Sequence, residues 1–163
     1  MPALTEIKKT LPASWYYDPA HYRHELETIW YRDWVCVGRE ESLPEFGDYF
    51  VAQLGDQSVI VTRAADGGLR AFHNTCRHRG SQLCRDTSGR FRNGRIICPY
   101  HTWAYSTDGE LLATPGRLES DGFDPGDYRL YEVHVDSWRG FIHINLAPDP
   151  ESGLAAQLGD QVD

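Results

Sequence analysis

Residues 74–109 read NTCRHRGSQLCRDTSGRFRNGRIICPYHTWAYSTDG. Two short groups stand out in this stretch, Cys76-Arg77-His78 and Cys98-Pro99-Tyr100-His101, with 19 residues between them. Each group offers one thiol and one imidazole, close enough to share a single turn. Gly80 and Pro99 supply turn chemistry beside them. The two groups therefore read as the tips of paired hairpins that converge on one site.

Two metals could explain such a site. Zinc accepts two Cys and two His tetrahedrally, but zinc fingers usually pair like ligands within each half. Here each half is mixed, and the one-residue gap in the first half is uncommon for zinc. A two-iron, two-sulfur cluster suits the mixture better, with Cys76 and Cys98 on one iron and His78 and His101 on the other. Two thiolates and two neutral imidazoles leave the oxidised centre formally neutral, where four thiolates would make it a dianion. A neutral centre accepts an electron more readily, so histidine ligation raises the potential. The electron is expected on the histidine-held iron, with His78 and His101 near the surface as its exit. The function read from these residues is one-electron transfer. The contrasting function is a zinc-stabilised interaction module without a redox role.

Outward from the site, the 163 residues fit one domain able to bury a real core. Four cysteines are too few and too unevenly spaced for a disulfide scaffold, and a reducing compartment favours metal binding by clustered ones. Cys36 and Cys84 read as small buried residues, not ligands. The net charge of -8 argues against a nucleic-acid partner. That average hides an asymmetry: Arg77, Arg79, Arg85, Arg90, Arg92 and Arg95 face a single acid, Asp86, between Cys76 and His101. The arginines read either as a solubilising scatter or as a docking surface for an acidic partner. The N-terminal residues lack the apolar stretch of a secretion signal and no later segment is long enough to span a membrane, so the expected location is the cytoplasm.

One helix is readable. Asp18 suits an N-cap and Pro19 the first helical position. Tyr22, Leu26, Ile29 and Trp30 then form one apolar stripe, expected to pack against the strands beyond it, with an end near Asp33. Strands are expected at 34–38, 49–54, 58–63 and 69–73, joined through Gly55-Asp56 and Asp66-Gly67-Gly68. Asn93-Gly94 and Asp108-Gly109 mark two further hairpins. Residues 130–135 alternate, with Tyr131, Val133 and Val135 on one face, and 138–146 alternate with Ile142, Ile144 and Leu146 together. The remaining histidines build no second metal site: His21 and His24 beside Glu25 read as solvated helix residues, His134 and His143 as polar strand positions, and His73 as structural. From Ala147 onward the chain reads as a tail or the start of a linker. The fold class is mainly β with an N-terminal helix.

The C-x-H and C-x-x-H groups are the signature of the Rieske proteins. CRHRGSQLC and CPYHTWAYSTDGELLATP resemble the N-terminal domain of the large (alpha) subunit of Rieske non-haem iron oxygenases, the ring-hydroxylating family. LPASWYYDPAHYRHELETIWYRDW upstream and WRGFIHINLAPDP downstream extend the resemblance over nearly the whole chain. Within that family it looks most like the branch of choline, betaine and phenylpropionate-type enzymes. The resemblance implies an antiparallel β-sandwich or open barrel. Residues 1–35 would form a helical segment, 36–147 the Rieske [2Fe–2S] domain with its two-hairpin cluster subdomain at about 74–114, and 148–163 a tail or linker. It also implies a reductase or ferredoxin as electron donor. The acceptor would be a mononuclear iron, held by two His and one carboxylate in a second domain beyond residue 163. The chain alone is not expected to hydroxylate anything, and a free-standing Rieske ferredoxin is the alternative. Ser81 and Tyr100 stand where respiratory Rieske proteins carry an extra cysteine pair, and Trp103 where they carry a serine donor. Their absence implies a midpoint near the low end of the Rieske range, roughly -150 mV.

Overall fold

The computed structural model describes residues 9–116 and 122–162. Among the described residues, ten strands form two antiparallel sheets. In chain order they are β1 (Val35–Arg39), β2 (Asp48–Leu54), β3 (Gln57–Arg63), β4 (Leu69–His73), β5 (Ser88–Arg90), β6 (Arg95–Ile97), β7 (Ala104–Ser106), β8 (Leu111–Ala113), β9 (Glu132–Trp138) and β10 (Phe141–Asn145). The larger sheet is curled and runs β1-β10-β9-β4-β3-β2-β5, and the smaller runs β6-β7-β8. The mainly β reading is what the structure has.

Strand β3 is buried on both faces, which is why residues 59–61 read Val-Ile-Val without a polar break. Side chains alternate across a strand. Val59 and Val61 therefore join Leu43, Ala71, Val133, Ile142 and Ile144 in a core within the larger sheet. Ile60 points the other way, with Phe72 from β4, into a second core shared with Ile96, Tyr105, Leu111 and Leu130. The small sheet is seated on the large one by this second core. Gly109, in the β7–β8 turn, lies so close to Phe72 that a Cβ there would come within 2.5 Å of its ring.

The Asp18 cap is in place: its Oδ1 accepts the Ala20 N–H at 2.8 Å and opens α1 (Pro19–Glu25). The helix then widens into a π-helical turn at Leu26–Trp30, where the Tyr31 N–H reaches the Leu26 carbonyl at 2.9 Å. The apolar stripe does not pack as expected. Tyr22, Ile29 and Trp30 are exposed, and Leu26 is half-buried. Leu26 and the Tyr31 hydroxyl close over Gly55, which has no side chain to hold them off.

Asp108-Gly109 is a true hairpin, but Asn93-Gly94 is not. Strand β5 pairs with β2 and β6 with β7, so this turn carries the chain from one sheet to the other. Asn93 and Gly94, at φ 54° and 63°, give the same local signal in either case. The β9–β10 turn is Arg139-Gly140, both at positive φ, so Trp138 closes β9 and does not open β10. Val133, Ile142 and Ile144 are buried as expected, while Tyr131 is exposed. Beyond Ala147 a short helix, α2 (Leu154–Leu158), buries Leu154. Trp34 ties this segment down, its indole N–H donating to the Ser152 carbonyl at 2.8 Å and its backbone N–H to Gln157 Oε1 at 3.0 Å. Cys36 is exposed, against expectation, because β1 is an edge strand. The expectation about a leader falls largely on residues 1–8, outside those described.

Candidate metal centre

Two loops of one backbone design meet at the end of the second core. In the first, the Cys76 N–H donates to the Ser81 carbonyl at 2.8 Å and the Gly80 N–H to the Cys76 carbonyl at 3.0 Å. In the second, the Cys98 N–H donates to the Trp103 carbonyl at 2.8 Å and the Thr102 N–H to the Cys98 carbonyl at 3.1 Å. The residue four after each cysteine is left-handed, Gly80 at φ 69° and Thr102 at φ 56°. Glycine adopts that conformation freely, and threonine does so at some strain. The first loop hangs from β4 of the large sheet, and the second joins β6 to β7 of the small one.

This matched geometry brings like residues together. Cys76 and Cys98 are both buried, and each thiol influences the other's acidity. His78 and His101 are half-buried on the outer side, ring centroids 4.8 Å apart at 68°. His101 Nδ1 is buried without a hydrogen-bond partner among the described residues. A lone pair held that way costs stability unless something else takes it. Among the described residues, no three of His, Cys, Asp or Glu converge as for a single ion. Two facing pairs suit a two-metal cluster with two protein ligands per metal better than one tetrahedral zinc.

The electrostatics differ between the thiols. Burial pushes the Cys76 thiol up. Burial also acts on Cys98, but the N–H groups of Tyr100 and His101 and the Cys76 and Ser81 side chains outweigh it and hold that thiol below its ordinary range. Burial and the neighbouring His101 and Arg79 lower the His78 pKa, which favours its neutral form. A neutral imidazole and a thiolate are the forms that bind metal. Cys84 is buried at 6 % exposure in the second core, its thiol pushed up to about 12 by burial.

Two contributors, Asn74 and Tyr105, were not read from the sequence, nor was the stacking role of Trp103. Asn74 is buried, and its Oδ1 accepts the Leu83 and Cys84 N–H groups at 3.1 and 2.8 Å while its Nδ2 donates to the Cys84 carbonyl and Ser58 Oγ. It therefore pins the first loop across its base. Tyr105 is fully buried, its hydroxyl 3.3 Å from Cys76 Sγ and accepting the Arg77 N–H at 3.2 Å. Trp103 stacks on His78 at 4.6 Å and 11°. A buried polar or aromatic residue within a few positions of a ligand was the available signal for all three.

The six arginines are not equivalent. Arg77 donates to backbone carbonyls, and Arg90 pairs with Asp48 at 2.6 Å. Arg79, Arg85, Arg92 and Arg95 are exposed and carry no ion pair among the described residues. The other histidines stay outside the site. His21 stacks on Trp15 and lies 3.4 Å from Glu25, and His24 is exposed. Burial lowers the His73 pKa, and His134 contacts the Pro148 carbonyl.

Residues 33–124 match the family model of the Rieske [2Fe–2S] domain. The chain belongs to the Rieske family, and a Rieske-type [2Fe–2S] cluster is its cofactor. More particularly, what it matches is the Rieske portion of oxygenase alpha subunits. It is 39% identical over 141 residues to the glycine betaine monooxygenase oxygenase subunit of Chromohalobacter salexigens, covering 86% of this chain and 31% of that one. To the chloroplastic choline monooxygenase of Beta vulgaris it is 39% identical, covering 84% of this chain and 30% of that one. Among solved structures, the apo quaternary ammonium Rieske monooxygenase CntA superposes with a TM-score of 0.86 at 29% identity, over 94% of this chain and 44% of the other. A phenanthrene-bound naphthalene 1,2-dioxygenase variant gives 0.81 at 35% identity, over 89% and 32%. The chain thus spans about a third of the length of the curated relatives it matches. Among the described residues, no helix is long and apolar enough to cross a membrane.

Proposed function

We propose that Cys76 and Cys98 hold one iron of the cluster, that His78 and His101 hold the other, and that the chain relays single electrons to an oxygenase centre. The observation that carries the ligand set is the meeting of a buried thiol pair with an imidazole pair whose member His101 leaves Nδ1 buried and unpartnered. The bound cluster supplies a one-electron couple raised above that of four-cysteine centres. The protein supplies the rest. The second core closes over the thiols and keeps water from the cysteine side. Tyr105 and the loop N–H groups stabilise negative charge on sulfur. The half-buried histidine edges offer the short path outward.

The donor is a reductase or ferredoxin, and the acceptor is a mononuclear iron in a catalytic domain of the same kind of enzyme. Similarity to the oxygenase subunits extends over 141 residues, well beyond the 92 of the Rieske model. That supports an oxygenase portion over a free-standing ferredoxin, because the flanks are shared too. Relatives named for glycine betaine, choline and naphthalene resemble this portion about equally. This portion therefore carries little of the substrate choice.

Iron and acid-labile sulfide are the test. Expressed with adequate iron, the chain should be red-brown with about two of each per chain. Cys76→Ser or Cys98→Ser should abolish the colour. A colourless protein holding one zinc would refute the proposal and favour the interaction module.

A further inference from the structure

Arg77 lies between Cys76 and His78 in sequence, yet its half-buried side chain makes no ion pair among the described residues. One guanidinium nitrogen donates to the Arg129 carbonyl and another to the Asp127 carbonyl at 3.1 Å, while Cζ sits 4.0 Å above the Tyr131 ring. Two carbonyls and a ring face, all within five residues, match a flat fork and not a point charge.

The segment gripped in this way carries Tyr128. Its ring meets Trp103 edge-on at 5.6 Å and stacks on Phe123 at 4.8 Å, and Trp103 in turn lies flat on His78. The chain of contacts closes on itself: His78 to Trp103, Trp103 to Tyr128, and the Tyr128 turn back through Arg77 to the loop that bears His78. The turn is also tethered to the small sheet, where the Leu130 N–H donates to the Gly109 carbonyl at 2.8 Å.

We propose that Arg77 is a positioning residue: by clamping the 127–131 segment it holds the Trp103 face that orients the His78 imidazole. This rests on the assignment of His78 as a ligand. The competing account is electrostatic, a positive charge beside the cluster. Arg79 separates the two accounts, since it lies one residue beyond His78, carries the same charge and makes no ion pair among the described residues.

The test uses the whole chain with Arg77→Lys, Arg77→Gln, Arg79→Gln and Tyr131→Leu. In the metal-free protein, the His78 ring protons should show the upfield NMR shift caused by a stacked indole. Arg77→Lys and Arg77→Gln should lose that shift, Tyr131→Leu should reduce it, and Arg79→Gln should keep it. In the loaded protein, the two Arg77 variants should broaden the EPR signal and release iron to a chelator about tenfold faster, as loss of an outer support does for metal sites. If Arg77→Lys behaves as wild type, or Arg79→Gln behaves as Arg77→Gln, charge is what matters and the clamp is refuted. Should Arg77→Gln fail to fold, the Lys and Tyr131→Leu variants decide on the same criteria. A chain that never loads a cluster would overturn the ligand assignment, while the NMR shift would still report on the clamp.

Discussion

Tyr105→Phe removes one oxygen atom from a fully buried ring and should act on stability and potential together. That oxygen lies 3.3 Å from Cys76 Sγ and accepts the Arg77 N–H at 3.2 Å. Burial, reinforced by the Cys76 side chain, raises the Tyr105 pKa well above the ordinary phenol value, so the group remains a donor across neutral pH. A hydrogen bond to a thiolate sulfur strengthens when an electron is added to the centre. With a differential of about 1 kcal/mol, within the range for bonds to charged groups, the midpoint should fall by about 40 mV, since about 59 mV corresponds to a tenfold change in a one-electron couple. The orphaned Arg77 N–H should cost about 1–3 kcal/mol of stability. Protein-film voltammetry reads the first effect and a urea transition the second. A midpoint that stays put or rises would show that the phenol does not donate to Cys76.

Asn74→Ala should lower the midpoint of urea unfolding by the equivalent of about 3 kcal/mol, because three loop groups lose a buried partner at once; a change below about 1 kcal/mol would mean that water replaces the amide. Cys84→Ser should leave the visible spectrum of the loaded protein unchanged, since Cys84 packs in the second core outside the two Cys-His groups, and loss of colour would show that the ligands are misassigned. The Arg90 guanidinium holds the Asp48 carboxyl below the usual carboxylate range, against the effect of burial. The pair therefore stabilises the fold above the ordinary carboxylate pKa of about 3.9, and that stability is lost as pH falls through the depressed folded value. Asp48→Asn should flatten the acid limb of a stability–pH curve measured from about pH 2 to 6, and an unchanged limb would refute the linkage.

The proposed ligand set is legible in sequence because a metal imposes spacing on adjacent residues, and adjacency is what a sequence displays. Strands β2, β3 and β4 were equally open, bounded by turn chemistry that admits few alternatives. Asn74 and Tyr105 were not, because their partners are backbone groups brought close only by the finished fold. Asn93-Gly94 misled for a different reason. A left-handed pair reverses the chain locally whether the next strand returns beside the last or crosses to another sheet. The Tyr22, Ile29 and Trp30 stripe showed true helical periodicity, but periodicity does not say what lies opposite. The six arginines formed a cluster in sequence and separate in space, two tied into the fold and four directed to solvent.

The thiol pair spans the gap between the two sheets, Cys76 hanging from the large one and Cys98 from the small one. On the proposed ligand set the cofactor would be a rivet across a seam, its binding energy going into joining two bodies as well as into seating four ligands. Without it, the join includes the second core, the Gly109–Phe72 contact, the Tyr105–Arg77 and Leu130–Gly109 hydrogen bonds and the Arg70–Asp108 ion pair. Loaded protein should open as one cooperative unit. Stripped of iron, the small sheet becomes free to open ahead of the large one, and amide exchange would resolve two units where there had been one. Loss of iron would thus register as a mechanical event, the parting of two halves, before it registered as the loss of an electron carrier.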